Sequence, residues 1–143
     1  MIKIKIKQGL ENILDAKVIR EKVFIQEQGF KNEFDDIDKT AYHIVVYYNN
    51  QAVACGRTFL DQDNYEGYIL GRIATLKPYR GKKFASKVML ELEQKALESG
   101  AKQVKLSAQE TVKVFYEKLG YVTTSEIYLD EGCPHITMIK KLK

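Results

Sequence analysis

Hydrophobic and polar residues alternate strictly over residues 2–7, which read Ile-Lys-Ile-Lys-Ile-Lys. A period of two puts three isoleucines on one face and three lysines on the other, the pattern of an edge strand with one solvated face. The period then changes. Leu10, Ile13, Leu14, Val18 and Ile19 recur at helical spacing, which predicts an amphipathic helix over 10–24 ending near Gln28-Gly29. An acidic stretch follows, read as a short helix or irregular loop. Residues 41–48 and 52–60 are β-rich runs separated by Asn49-Asn50, a hairpin signal, and 65–76 adds a further strand after the polar turn 61–64. Beyond Lys77-Pro78 the apolar positions Phe84, Ala85, Val88, Met89, Leu92 and Ala96 fall on one helical face, with Gly100 as the stop. A short apolar strand over 103–107, a helix over 110–119 ending at Gly120, and strands over 121–128 and 136–142 joined through Asp130-Glu131-Gly132 complete the chain. The order predicts an α/β (α+β) fold: one mixed, mostly antiparallel central sheet of about six to seven strands flanked by about four helices.

Length and composition set limits on this picture. At 143 residues and 45% hydrophobic, the chain suits one domain, 1–143, with one core. No run approaches the apolar length of a membrane span, and the N-terminus lacks the pattern of a secretion signal, so a soluble, cytoplasmic protein is expected. Cys55 and Cys133 lie far apart and read as reduced structural thiols. No His/Cys/Asp/Glu grouping has metal-ligand spacing, so no metal is expected.

The net charge of +4 is modest, but its distribution is informative. Residues 27–38 carry Glu27, Glu33, Asp35, Asp36 and Asp38 against the single base Lys31. That run reads as a solvated face. Residues 77–87 carry Lys77, Arg80, Lys82, Lys83 and Lys87 with no acid, at the start of a predicted helix. Cations there oppose the partial positive charge of the helix end, unless an anion binds its free amides. No P-loop and no dinucleotide-binding glycine fingerprint is present.

What does fit is Arg80-Gly81-Lys82-Lys83-Phe84-Ala85, between a strand and a helix. It resembles the acetyl-CoA pyrophosphate loop of the GNAT superfamily, whose pattern is Gln or Arg, two residues, Gly, one residue, then Gly or Ala. Lys83 stands where that pattern has its middle glycine. Leu106-Ser107-Ala108-Gln109 and Val114-Phe115-Tyr116-Glu117-Lys118-Leu119-Gly120-Tyr121 resemble the family's later strand and helix. Val23-Phe24-Ile25-Gln26-Glu27-Gln28 and Asp130-Glu131-Gly132-Cys133-Pro134-His135-Ile136 are similar to the ElaA-like branch and to glyphosate N-acetyltransferase. The resemblance spans nearly the whole chain.

The resemblance implies acetyl transfer from acetyl-CoA to a primary amine of a small molecule or peptide, by direct attack in a ternary complex. It implies that Ile73, Ala74 and Thr75 run beside the pantetheine arm, and that Arg80, Gly81, Lys82, Lys83, Phe84, Ala85 and Ser86 hold the pyrophosphate. Tyr116 is the implied general acid for the departing thiolate, beside the cofactor. Val112, Phe115 and Leu119 fall at i, i+3 and i+7, which makes Phe115 core-facing and turns Tyr116 toward the edge of the apolar stripe. His135 is the candidate base and acceptor-site residue, with a surface histidine in a turn as the other reading. Arg20, Glu27 and Arg72 are candidates for the acceptor pocket, where two arginines would suit a carboxylate or phosphonate. Salt bridges from Arg20 into residues 33–38 are the competing reading. His43 reads as structural. A non-catalytic acyl-CoA-binding sensor on the same fold is the alternative function, and nucleic-acid binding is a distant third, because the basic residues are confined to one loop and one edge strand. A monomer or homodimer is expected, with no membrane or nucleic-acid partner.

Overall fold

The computed structural model describes residues 1–142. In chain order they form β1 (Ile2–Gln8), α1 (Leu14–Arg20), β2 (Tyr42–Tyr48), β3 (Gln51–Leu60), β4 (Gly67–Thr75), α2 (Phe84–Glu98), β5 (Gln103–Gln109), α3 (Lys113–Lys118), β6 (Val122–Thr123), β7 (Tyr128–Asp130) and β8 (Cys133–Lys141). Strands β1 to β4 form an antiparallel meander, and β4 pairs in parallel with β5 across the α2 crossover. β8 then pairs antiparallel with β5 and also carries β6 and β7. The result is one eight-stranded mixed sheet with three α-helices among the described residues. No described helix is long and apolar enough to cross a membrane.

Both faces of the sheet are covered because neighbouring residues of one strand point to opposite sides. Ile44 and Val46 pack with Val88, Met89 and Leu92 of α2, whereas Val45 between them packs with Ile19 of α1 and with Cys55 and Ala74. The two-residue turn Asn49-Asn50 has φ of 50° and 67°, the doubly left-handed geometry that matches strand twist in a hairpin. Gly56 is fixed by close approach: a Cβ there would lie 2.7 Å from Val88 and 2.8 Å from Ile73 and Leu92. Helix α2 therefore sits directly on the backbone of β3.

Three expectations change. The strand expected over 121–128 is divided into β6 and β7, because the Ser125 hydroxyl accepts from the Thr137 amide at 2.9 Å and takes the place of a ladder bond. The first helix does not continue as an α-helix to residue 24. A single 3₁₀ turn precedes α1, which passes into a π-helical segment, Glu21–Glu27, that buries Val23 and Phe24 side by side. Finally, the acidic segment is solvated only in part: Glu27, Asp35 and Asp36 are exposed. Glu33 and Asp38 are buried, and Asp35 caps the 3₁₀ turn Asp36–Lys39 through a reciprocal capping box with Asp38.

Those acids neutralise three arginines. Arg20, 1% exposed, binds Glu33 at 2.8 Å and Asp38 at 2.7 Å. Arg57, 4% exposed, binds Asp35 at 2.7 Å and Asp38 at 2.8 Å, and Arg72 reaches Glu33 at 3.1 Å and Asp35 at 3.5 Å. His43, also buried, is 3.0 Å from the Asp38 carbonyl. Removing Arg20 leaves two buried carboxylates, Glu33 and Asp38, each short of one of its two cations, so Arg20→Ala is expected to lower the unfolding free energy by about 3–5 kcal/mol in urea titrations. Burial alone would raise the Asp38 carboxyl, but the hydrogen bond and charge of Arg20, the Asp35 amide and Arg57 hold it down, from 3.8 to about 2. A folded-state pKa below the unfolded one gives stability that is present above pH ~4 and lost as pH falls through about 2. Glu33, which burial raises, works in the opposite direction. The urea midpoint is expected to fall between about pH 4 and pH 2, with Asp38→Asn flattening that part of the curve. An unchanged slope in the variant would remove Asp38 as its source.

Candidate active site

The parallel pairing of β4 with β5 ends at Leu70 opposite Leu106. Just beyond, the β3–β4 register shifts so that Gly56 alone faces both Arg72 and Ile73, and Arg72 has φ of 53°. This is a β-bulge, which bends its strand and breaks the ladder. It carries Gly71–Thr75 away from β5, so the β5-facing backbone edge of these residues has no strand partner. A cavity of about 430 Å³ occupies the gap, within the range of small-molecule sites. Arg72 and Ile73 line it from β4, Tyr116 from α3 and His135 from β8.

Phe115 packs against the core and Tyr116 lines the cavity, although Tyr116 is the more buried of the two. Tyr116 is 8% exposed and packs edge-on against Tyr121, while Phe115 is half-buried. Val112, expected on the same stripe as Phe115, is exposed instead, because it lies in the 3₁₀ turn Glu110–Val112 and its phase does not carry into α3. Burial alone pushes the Tyr116 phenol up to about 12, with no side-chain hydrogen bond contributing. It is therefore neutral and able to donate at physiological pH.

His135 is 7% exposed, and its Nδ1 lies 2.8 Å from the Cys133 carbonyl. A carbonyl only accepts, so Nδ1 carries the hydrogen and Nε2 of the neutral ring keeps a bare lone pair. Tyr128 stacks on the ring at 6.3 Å, and its hydroxyl is engaged by Ser107 and Thr137.

The other expected site residues divide into two groups. Ala74 and Thr75 continue the unpaired β4 edge toward Arg80, whose Nε donates to the Thr75 carbonyl at 3.0 Å. Glu27 does not line the cavity. It forms a two-pronged pair with Arg80 at 2.6 and 2.8 Å, which holds its carboxyl below the usual range. Arg20 lies behind the cavity, wholly taken up by Glu33 and Asp38. Of the four acceptor-side residues, only Arg72 and His135 therefore reach the cavity.

Residues 80–86 lead into α2. That helix begins at Phe84 with no side-chain cap and no acid in its first turn, leaving its amides free for an anion. Gly81 has φ of 79° with open space around it, and Lys83 has φ of 68°. Lys83 thus takes the left-handed conformation for which the loop pattern uses glycine.

The family model "Acetyltransferase (GNAT) domain" matches residues 10–142. The chain belongs to the GNAT family. The N-acetyltransferase YjcF of Bacillus subtilis is 37% identical to it over 142 residues, covering 97% of this chain and 99% of YjcF. ElaA of Escherichia coli is 30% identical over 124 residues, covering 84% of this chain and 81% of ElaA. The crystal structure of E. coli ElaA superposes with a TM-score of 0.87 at 26% identity, covering 99% and 100% of the two chains. The protein is accordingly a GNAT-type N-acetyltransferase, an acyltransferase with an acyl-CoA cosubstrate. The non-catalytic reading gives way to this.

Several residues that line the GNAT cavity were not named as site residues from sequence: Arg57, Phe30, Phe24, Asp130 and Glu131, although the last three lie in the two segments that carry the branch resemblance. Arg57 had a usable signal, since a charged residue within the apolar run 52–60 requires a buried partner. The others lie on turns and segments whose meeting is a property of the fold.

Lys83 leads to a direct test. A side chain held in the left-handed region is strained by about 1 kcal/mol, so Lys83→Gly is expected to raise stability by roughly that amount despite the freer unfolded chain. Thermal unfolding followed by circular dichroism measures it, and a variant no more stable than the parent would show that Lys83 is unstrained.

Proposed function

We propose that the protein transfers an acetyl group from acetyl-CoA to a primary amine of a small molecule, with both substrates bound at once. The observation that carries this reading is the continuous path from the uncapped start of α2, along the unpaired edge of β4, to a cavity lined by Tyr116 and His135. The free amides of residues 82–86, together with Lys82 and Lys83, suit a pyrophosphate, and Arg80 would join them on exchanging Glu27 for the phosphate. The backbone edge of residues 73–75, which has no strand partner and whose Thr75 carbonyl is held by Arg80, suits the amides of a pantetheine arm. These residues fit acetyl-CoA, which supplies an activated thioester carbonyl to the cavity.

The acceptor must present a neutral amine, and His135 Nε2 takes the proton that the nitrogen loses. Tyr116 donates its phenolic proton to the sulfur as the carbon–sulfur bond breaks. Its raised pKa keeps that proton in place across the physiological range.

Three measurements test this reading. Acetyl-CoA affinity should fall as salt is raised, because the loop contacts are ionic and exposed. Tyr116→Phe should lower kcat by about 10²- to 10⁴-fold with acetyl-CoA affinity nearly unchanged. His135→Ala should lower the rate mainly at low pH, where the amine is most protonated. A Tyr116→Phe enzyme as fast as the parent would make Tyr116 a packing residue, and an unaltered pH profile in His135→Ala would assign proton removal to another group.

A further inference from the structure

The cavity has a charge pattern that bears on what enters it. Arg57 and Arg72 are the only lysine or arginine residues among its described lining. Both guanidiniums already face carboxylates, and with Arg20 they make three cations against Glu33, Asp35 and Asp38. The one Arg57 nitrogen without a partner, Nε, is sealed from solvent, so it offers no contact to a guest. Arg72 Nη1 lies outside these pairs on a side chain 28% exposed, but an anion reaching it would sit beside Glu33 and Asp35 and would meet their repulsion on the way in.

Beyond this balanced cluster, the ionic groups on the lining are Asp130 and Glu131, at the β7–β8 turn. Both are exposed. Glu131 accepts from the backbone amides of Lys31 and Asn32 at 3.3 Å, neutral donors that leave its charge uncompensated. Neither acid is in an ion pair among the described residues. Phe24 and Phe30, edge to face at 6.4 Å, form an adjacent aromatic wall of the kind that attracts ammonium groups.

We propose that the acceptor is a diamine, one nitrogen of which is acetylated while the other stays protonated toward Asp130 and Glu131. This rests on the acetyl-transfer reading above and selects its substrate class, against amino acids and other amines that carry an anion. His135 Nε2 deprotonates the reacting nitrogen, and the distal ammonium keeps its proton.

The test compares kcat/KM, by release of CoA thiol, for three four-carbon amines: 1,4-diaminobutane, butylamine and 4-aminobutanoate. Acetyl-CoA affinity is measured alongside by calorimetry. The expected order is diamine, then butylamine, then aminobutanoate, with at least about tenfold between the extremes at low salt and less at high salt. Asp130→Lys, an exposed change, should compress or invert the order. Aminobutanoate matching or exceeding the diamine overturns the diamine assignment while leaving acetyl transfer standing. An order that survives Asp130→Lys overturns it as well, since discrimination would lie elsewhere. Acetyl-CoA binding with no acetylation of any of the three sinks the transfer reading and the diamine assignment with it.

Discussion

Taking a charged side chain out of water is costly unless it meets a partner of opposite charge in good geometry, and this protein does so four times in one place, with Arg20, Arg57, Glu33 and Asp38. Arg20 comes from α1, Arg57 from β3, Arg72 from the bulge in β4, and Glu33, Asp35 and Asp38 from one segment between the first helix and the sheet. Each carboxylate serves two guanidiniums, so no member can leave without stranding others. The consequence is geometric. Arg72 sits at positive φ in the bulge, and its side chain is held by Glu33 and Asp35, so the ionic cluster fastens the point at which β4 turns away from β5. The cleft opens where it does because the cluster is where it is.

A second constraint joins that point to the uncapped start of α2. Gly56, the single residue facing the bulge, leaves no room for a Cβ beneath Val88 and Leu92 of α2. The first turns of α2 are thereby seated on the same stretch of sheet whose edge is unpaired. The helix start that suits a pyrophosphate and the strand edge that suits a pantetheine arm are set by one packing contact, and neither can drift relative to the other. Strain at Lys83 is tolerable within this arrangement, since a cost of about 1 kcal/mol is small beside the burial of Val88, Met89 and Leu92 at roughly 1.5–3 kcal/mol each.

Much of the scaffold was legible in the sequence where a local period decided the outcome. The Ile-Lys alternation of β1, the Asn49-Asn50 turn and the apolar face of α2 all reflect physics confined to a few residues. The misreadings arose where distant groups intervened. Charge alone made residues 27–38 look solvated, because nothing in a single run announces three arginines arriving from 20, 57 and 72. The 121–128 strand was broken by a hydroxyl, Ser125, taking the amide of a residue on another strand. For Val112 the helical period did not apply, because a 3₁₀ turn at Glu110–Val112 precedes α3.

The same distinction separates the two halves of the site. The side we propose for the cofactor is made of backbone: free amides at a helix start and ladder groups along a strand without a strand partner, for which side-chain identity matters little once the conformation is reached. That explains how Lys83 can stand in a glycine position, with the left-handed φ retained, and why a motif suffices to find this half. Its acceptor side is made of side chains from the π-helical segment and its following loop, the β4 bulge and the β7–β8 turn, brought together only by the folded sheet. A substitution such as a charge at Asp130 leaves the backbone path untouched while changing what the cavity attracts. Acceptor choice in such a fold is therefore free to diverge while the acyl donor stays the same, and it must be read from the charge balance of the assembled cavity.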